Sequence, residues 1–155
     1  MNSMNSVYDR ARKRLDERLM AFKQIRQENR PPKGWIRAIR DALGMSGPQL
    51  ARRLDVTAQT IERIEKSEAA DTIQLRTLRR AAEALDCTLV YAFIPNTSLE
   101  AMVNTRAREI ALRDLGRVSH TMKLEAQGTN DRDLEARIDA YIRDTLKDRD
   151  LWKTS

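Results

Sequence analysis

Apolar residues along this chain recur mostly at steps of three and four, interrupted by Pro, Gly and capping residues, which is the rhythm of short amphipathic helices. From residue 8 to 29 they fall at Tyr8, Ala11, Leu15, Leu19, Phe22 and Ile25, the stripe of one helix whose outer face carries Arg10, Arg12, Lys13, Arg14 and Arg18. Residues 1–6 ahead of it are expected to fray. Pro31 and Pro32 end the helix, and Lys33 and Gly34 complete a short linker. A second helix over residues 35–43 turns Ile36, Ile39 and Leu43 inward and leaves Arg37 and Arg40 outside or at the rim.

The most informative stretch is residues 43–67. Ser46 followed three residues later by Gln49 is a capping box, so a helix opens at Gly47 with Leu50, Ala51 and Leu54 on one face. It stops near Asp55, a residue that tolerates the left-handed conformation a sharp corner needs. Thr57 then caps another helix, with Ile61 and Ile64 inward and Val56 plugging the corner. Ala58, Gln59, Thr60, Arg63 and Lys66 are left with no core to face. A loop at 68–72 leads to a helix over residues 74–85 that buries Leu75, Leu78, Ala82 and Leu85 and shows Arg76, Arg79 and Arg80.

Residues 88–94, rich in β-branched and aromatic side chains and closed by Pro95, are the one strand candidate. A lone strand leaves its edges open, so it pairs either with a second copy across a two-fold axis or with part of its own chain. Thr97 and Glu100 have the spacing of another capping box, opening a long helix with Leu99, Met102, Val103, Ile110, Leu115, Val118 and Met122 on its apolar side and Gly116 as a weak point. Gln127, Gly128 and Thr129 end it, and Asn130 caps a last helix presenting Leu134, Ile138, Tyr141, Ile142 and Leu146. The expected fold is therefore mainly α. Its parts are an N-terminal amphipathic helix (1–30), a helical domain with a terminal strand (31–97) and a C-terminal helical extension (98–155).

Charge sharpens this picture. The 155 residues carry a formal +6, yet residues 46–97 hold 7 Lys and Arg against 7 acids and residues 98–155 hold 11 against 11. All the excess lies in residues 1–45, with 11 against 5. A single cysteine, Cys87, excludes a disulfide framework and a thiolate metal set and fits a reducing cytoplasm. No apolar run is long enough to span a bilayer, and no signal-peptide segment opens the chain, so a cytoplasmic protein is expected.

Catalysis needs a constellation, and none is visible. His120 is the only histidine, Cys87 follows a helix end in apolar company, and neither a Gly-rich phosphate loop nor a metal-ligand spacing occurs. The expectation is a protein that is not an enzyme and needs no cofactor.

Two short helices at a tight turn, the second with a Gln, Thr and Arg face, fit the helix-turn-helix, in which the second helix lies in the DNA major groove. An unrelated helical hairpin with a solvated polar face has the same spacing. The basic N-terminal third favours nucleic acid. On this reading Gln59 and Arg63 read adenine and guanine edges, Thr60 offers a hydroxyl or a methyl, and Lys33, Arg37, Arg40, Arg53 and Lys66 anchor on phosphates. Gln49, Thr57 and Ala58 complete the candidate interface.

Residues 35–87 resemble the Xre-type helix-turn-helix family of phage repressors. The resemblance rests on the 45–66 run, the Leu-x-x-Leu helix after it and the Ala84-Leu85-Asp86 end. The strings RPPKGWIR at 30–37, GMSGPQLARRL at 44–54 and LDCTLVYAFIP at 85–95 look like a narrower set, the mobile mystery protein A family, over nearly the whole chain. The resemblance implies a lambda-repressor-like bundle, a homodimer on a palindromic operator, and an antitoxin-like regulator encoded beside a Fic-domain toxin. It also implies that Ala58, Gln59, Thr60 and Arg63 are the base-reading positions and that Arg40 pairs with Glu65 while being presented to phosphate. Two positions depart from the repressor pattern: Gly47 stands where several repressors carry a phosphate-clamping Gln, and Ala58 offers only a methyl. A second function class stays open, an inhibitor that binds a toxin through the N-terminal helix or the C-terminal helices.

Overall fold

The computed structural model describes residues 7–122 and 131–153, with side chains described for 7–117 and 131–153. The helices are α1 (Val7–Met20), α2 (Trp35–Ala42), α3 (Gly47–Leu54), α4 (Ala58–Ala69), α5 (Leu75–Ala84), α6 (Leu99–Met122) and α7 (Asp131–Asp144), with 3₁₀ turns at Lys23–Gln27 and Asp148–Asp150. They gather into two units. One spans Gln24–Ala92 and holds α2 to α5; the other brings together α1, α6 and α7 from either side of it.

In the Gln24–Ala92 unit the core is Ile36, Leu50, Ala51, Leu54, Ile61, Ala81 and Leu85, with Val56, Ile64, Leu78 and Cys87 packed around it. The corner between α3 and α4 forms as its residues dictate. Ser46 Oγ accepts from the Gln49 amide at 3.3 Å while the Gln49 side chain accepts from the Ser46 amide at 2.8 Å. Asp55 turns the chain at φ 55°, and Thr57 Oγ1 accepts from the Thr60 amide at 3.1 Å to start α4. Among the residues assigned inward on α2 to α5, Leu43, just past the end of α2, is 59% exposed, and Leu75, the first residue of α5, is 41% exposed. The expected loop at 68–72 begins late, because α4 runs on to Ala69 with Glu68 buried.

The expected strand does not form. Residues 88–94 are irregular, and none of their N–H or carbonyl groups bonds to another described backbone group. A strand needs a second extended stretch to pair with, and no described residue lies in a strand. The run is left open, with Val90, Tyr91 and Phe93 exposed, Phe93 by 91%.

In the other unit α1 and α7 both pack on α6, and Val103, Ala107, Ile110, Leu146 and Leu151 form the core with Tyr141 and Ile142 beside them. The first helix is shorter than its periodicity predicts. It stops at Met20 and gives way to the 3₁₀ turn at Lys23–Gln27, where the chain passes from one unit to the other. The Thr97 and Glu100 capping box is also replaced. Ser98 Oγ accepts from the Ala101 amide at 3.0 Å, and the carboxylate of Asp16 on α1 accepts from the amides of Leu99 at 2.8 Å and Glu100 at 3.2 Å. Glu100 instead takes Arg12 Nε at 3.0 Å. The expected helix end at 127–129, the Asn130 cap, the fraying of residues 1–6 and the His120 side chain lie outside the described residues.

Candidate nucleic-acid interface

Helix α4 divides its side chains sharply. Ile61, Glu65 and Glu68 are buried on the inward face, while Ala58, Gln59, Glu62, Arg63 and Lys66 are exposed and Thr60 is half-buried. Gln59, Arg63 and Lys66 follow one another at steps of four and three, so they share one outward stripe. Glu62 lies in the same stripe, three residues after Gln59 and four before Lys66. Sequence reasoning passed it over although its spacing marked it: a carboxylate there can accept from cytosine N4.

The first turn of α4 is ordered in advance. The Thr57 and Thr60 hydroxyls lie 2.8 Å apart, and an Arg63 terminal nitrogen donates to Thr60 Oγ1 at 3.4 Å. Capping by Thr57 thus passes through Thr60 to the guanidinium of Arg63, which is held toward the helix N-terminus. A side chain held in this way has less rotamer freedom to lose on meeting a ligand.

The cations expected to anchor the backbone separate into two groups. Lys33, Arg37 and Lys66 line a common groove of about 390 Å³, together with Glu62, Glu65 and Ala69. Arg37 Nε is buried in the structure with no hydrogen-bond partner, its nearest ion-pair oxygen being Asp41 Oδ2 at 3.6 Å. Arg40 is engaged within the protein. Its Nε and Nη2 bond to the two oxygens of Glu65 at 2.6 and 3.1 Å, its Nη1 donates to the Met45 carbonyl at 2.9 Å, and its side chain is 11% exposed. The Glu65 hydrogen bond outweighs burial and holds the guanidinium pKa above its ordinary value. The structure therefore gives Arg40 the place of a joint between α2, the following turn and α4. Arg53 donates to the Ala84 carbonyl at 3.1 Å, tying α3 to the end of α5. The side-chain oxygen of Gln49 is committed to the capping box.

Gly47 sits at the start of α3 with nothing within 4 Å of where a Cβ would stand, so this edge of the helix faces open space. No group of His, Cys, Asp and Glu among the described residues could hold a metal ion, and no described helix is long and apolar enough to cross a membrane.

A family model described as helix-turn-helix matches residues 36–91, within the Gln24–Ala92 unit. No curated protein and no solved structure matches the chain.

Proposed function

We propose that this protein is a sequence-specific DNA-binding transcriptional regulator that lays α4 in the major groove. The observation that carries the reading is the division of α4: an inward stripe locked into the core, and an outward stripe of Gln59, Arg63 and Lys66 on a turn preordered by Thr57 and Thr60. Gln59 and Arg63 are the base readers, with Ala58 and Thr60 beside them. Lys33, Arg37 and Lys66 take the phosphates along the adjoining groove. Arg40 and Arg53 act by positioning helices. A homodimer on a palindrome belongs to this reading, each copy serving one half-site about one helical turn from the next. The uncharged run at 88–94, exposed at Val90, Tyr91 and Phe93, supports self-association.

The experiment is an anisotropy titration against the DNA upstream of the protein's own gene, at two salt concentrations and with scrambled competitor. Tight, competitor-resistant binding is expected, weakening steeply with salt as phosphate contacts release counterions. Arg63→Ala should cost about 1 to 3 kcal/mol and relax specificity at one base pair. A loss of equal size on every sequence would remove Arg63 from base reading.

The chain's resemblance to the mobile mystery protein A family extends the proposal to an antitoxin that also represses its own operon beside a Fic-domain toxin. One observation favours direct protein binding as well. Helix α1 has no buried residue, and Tyr8 and Leu15 line an open apolar groove of about 440 Å³ with Leu99, Val103, Leu151 and Trp152. Leu15→Glu in the full chain should abolish capture of the co-expressed Fic-domain protein while sparing DNA binding. Undiminished capture would dismiss this groove as its docking site.

A further inference from the structure

Beside Lys33 and Arg37, the string at 30–37 makes polar contacts that converge on one end of α4. Helix α2 begins at Gly34, which has no side chain to cap it, and the amide of Ile36 in its first turn is bound at 2.8 Å by Oε1 of Glu68. Glu68 is 3% exposed and belongs to α4. Gly34 is the residue this arrangement requires. Its φ is 86°, and a Cβ there would collide with Oε1 of Glu68 and lie 2.7 Å from Cδ. Arg30 closes the joint from outside. Its Nη1 donates to the Glu68 carbonyl at 3.1 Å and to the Asp71 carboxylate, and its Nη2 donates to the Ala69 carbonyl at 3.4 Å, so one guanidinium covers the carbonyls that end α4.

A buried carboxylate left without its donor is costly, so Glu68 fixes the distance between the two helices wherever α4 goes. Lys33 and Arg37 stand on the α2 side of the groove, and Lys66 stands on the α4 side, two residues before Glu68. We propose that Glu68, seated against Gly34 and backed by Arg30, is the positioning device that sets the base-facing stripe of α4 in register with the phosphate-facing cations at the start of α2. These three residues touch no base. They determine whether Arg63 and the Lys33, Arg37 and Lys66 set can engage one duplex at the same time. The inference rests on the DNA-binding reading above and adds to it the coupling of base contact to phosphate contact.

The test uses the full-length protein, the duplex that the wild type selects from a randomised pool and a scrambled duplex of equal length. Glu68→Ala should lower affinity for the selected duplex about tenfold or more while changing scrambled-duplex affinity far less, since one buried acceptor is lost and no surface cation is. Glu68→Gln keeps an oxygen for the Ile36 amide and should restore most of the discrimination. Hydrogen exchange supplies a readout without DNA: the Ile36 amide is protected in the wild type and exposed in Glu68→Ala. If Glu68→Ala fails to fold by circular dichroism, Arg30→Ala carries the test, with a smaller loss of discrimination in the same direction.

A folded variant that retains wild-type discrimination while its Ile36 amide exchanges freely overturns the positioning role and leaves DNA reading intact. A Gln variant no better than Ala overturns it too. A wild type that selects no sequence sinks the DNA reading itself, and the positioning proposal falls with it.

Discussion

The two units solve the same problem, how to open a helix and anchor it, over different distances along the chain. In the Gln24–Ala92 unit, α3 and α4 both open on residues three positions apart, Ser46 with Gln49 and Thr57 with Thr60. In the other unit α6 has a local cap of the same kind, Ser98 with Ala101, but its Leu99 and Glu100 amides are taken by Asp16, 83 positions before Leu99. Buried charge differs as well. The Gln24–Ala92 unit hides Glu65 and Glu68, whereas the Arg108 and Glu135 pair between α6 and α7 is about half-exposed on both sides. The lesson is that α4 is oriented by two almost fully buried carboxylates, while the charged groups of the other unit, Arg12 at 14% and Asp114 at 29% exposed among them, keep partial access to water.

The largest expected effect breaks that contrast directly. Glu65→Ala leaves the Arg40 guanidinium, in a site with little access to water, with only the Met45 carbonyl and Asp41 on Nη1, and should cost about 3 kcal/mol. Arg108→Ala, which removes an exposed pair, should leave stability where it is. Each unit carries its own tryptophan, Trp35 in one and Trp152 in the other. Denaturant unfolding of single-tryptophan variants, Trp152→Phe for Glu65→Ala and Trp35→Phe for Arg108→Ala, separates the two transitions. Equal shifts for the two substitutions would mean that burial is not what distinguishes these ion pairs.

Asp16→Ala comes next and sharpens the difference between local and distant caps. Two amides at the start of α6 lose their acceptor, and a cost of about 0.5 to 2 kcal/mol follows from the usual worth of a cap. The same substitution loosens α1, since Asp16 is one of its few fixed points. Thermal melts read at Trp152 check the cost, and exchange of the Leu99 and Glu100 amides checks its origin. Protected amides in the variant would mean that another group caps α6.

What the sequence made legible follows from these distances. The corner from Ser46 to Thr60 could be read residue by residue because every bond in it joins near neighbours, and the outward face of α4 followed from the period of its apolar residues. The trans cap from Asp16 and the joint at Glu68 each need two parts of the chain to meet, and so does the Arg40 and Glu65 pair, which only the repressor resemblance anticipated. A Glu in a helical run gives no sign, by itself, of facing another helix's N-terminus. Thr97 and Glu100 misled for the same reason: their spacing fits a box, but a carboxylate on α1 reaches the amides instead. Residues 88–94 have the composition of a strand, and composition supplies no partner.

The smallest effect concerns the seam between α6 and α7, where Tyr141 Oη donates to Asp114 Oδ2 at 2.5 Å. That hydrogen bond is the main cause holding the Asp114 carboxyl below its ordinary pKa, opposed by burial and aided by Arg113 and Arg117; the same bond pushes the Tyr141 hydroxyl up. A carboxyl with a lower pKa folded than unfolded makes its stabilising contribution in full above the unfolded value of about 3.9, and loses it as pH falls through the folded value. Tyr141→Phe removes the donor and lets the folded pKa rise toward the unfolded one. The gap in melting temperature between wild type and variant should therefore be widest near neutral pH and narrow as pH drops below about 4. Glu135 and Asp150 are also held low, by Arg108 and Lys153, but they are unchanged in the variant and cancel in the difference. A gap that stays constant from pH 7 to pH 3 would assign the cost of losing the hydroxyl to packing rather than to the charge on Asp114.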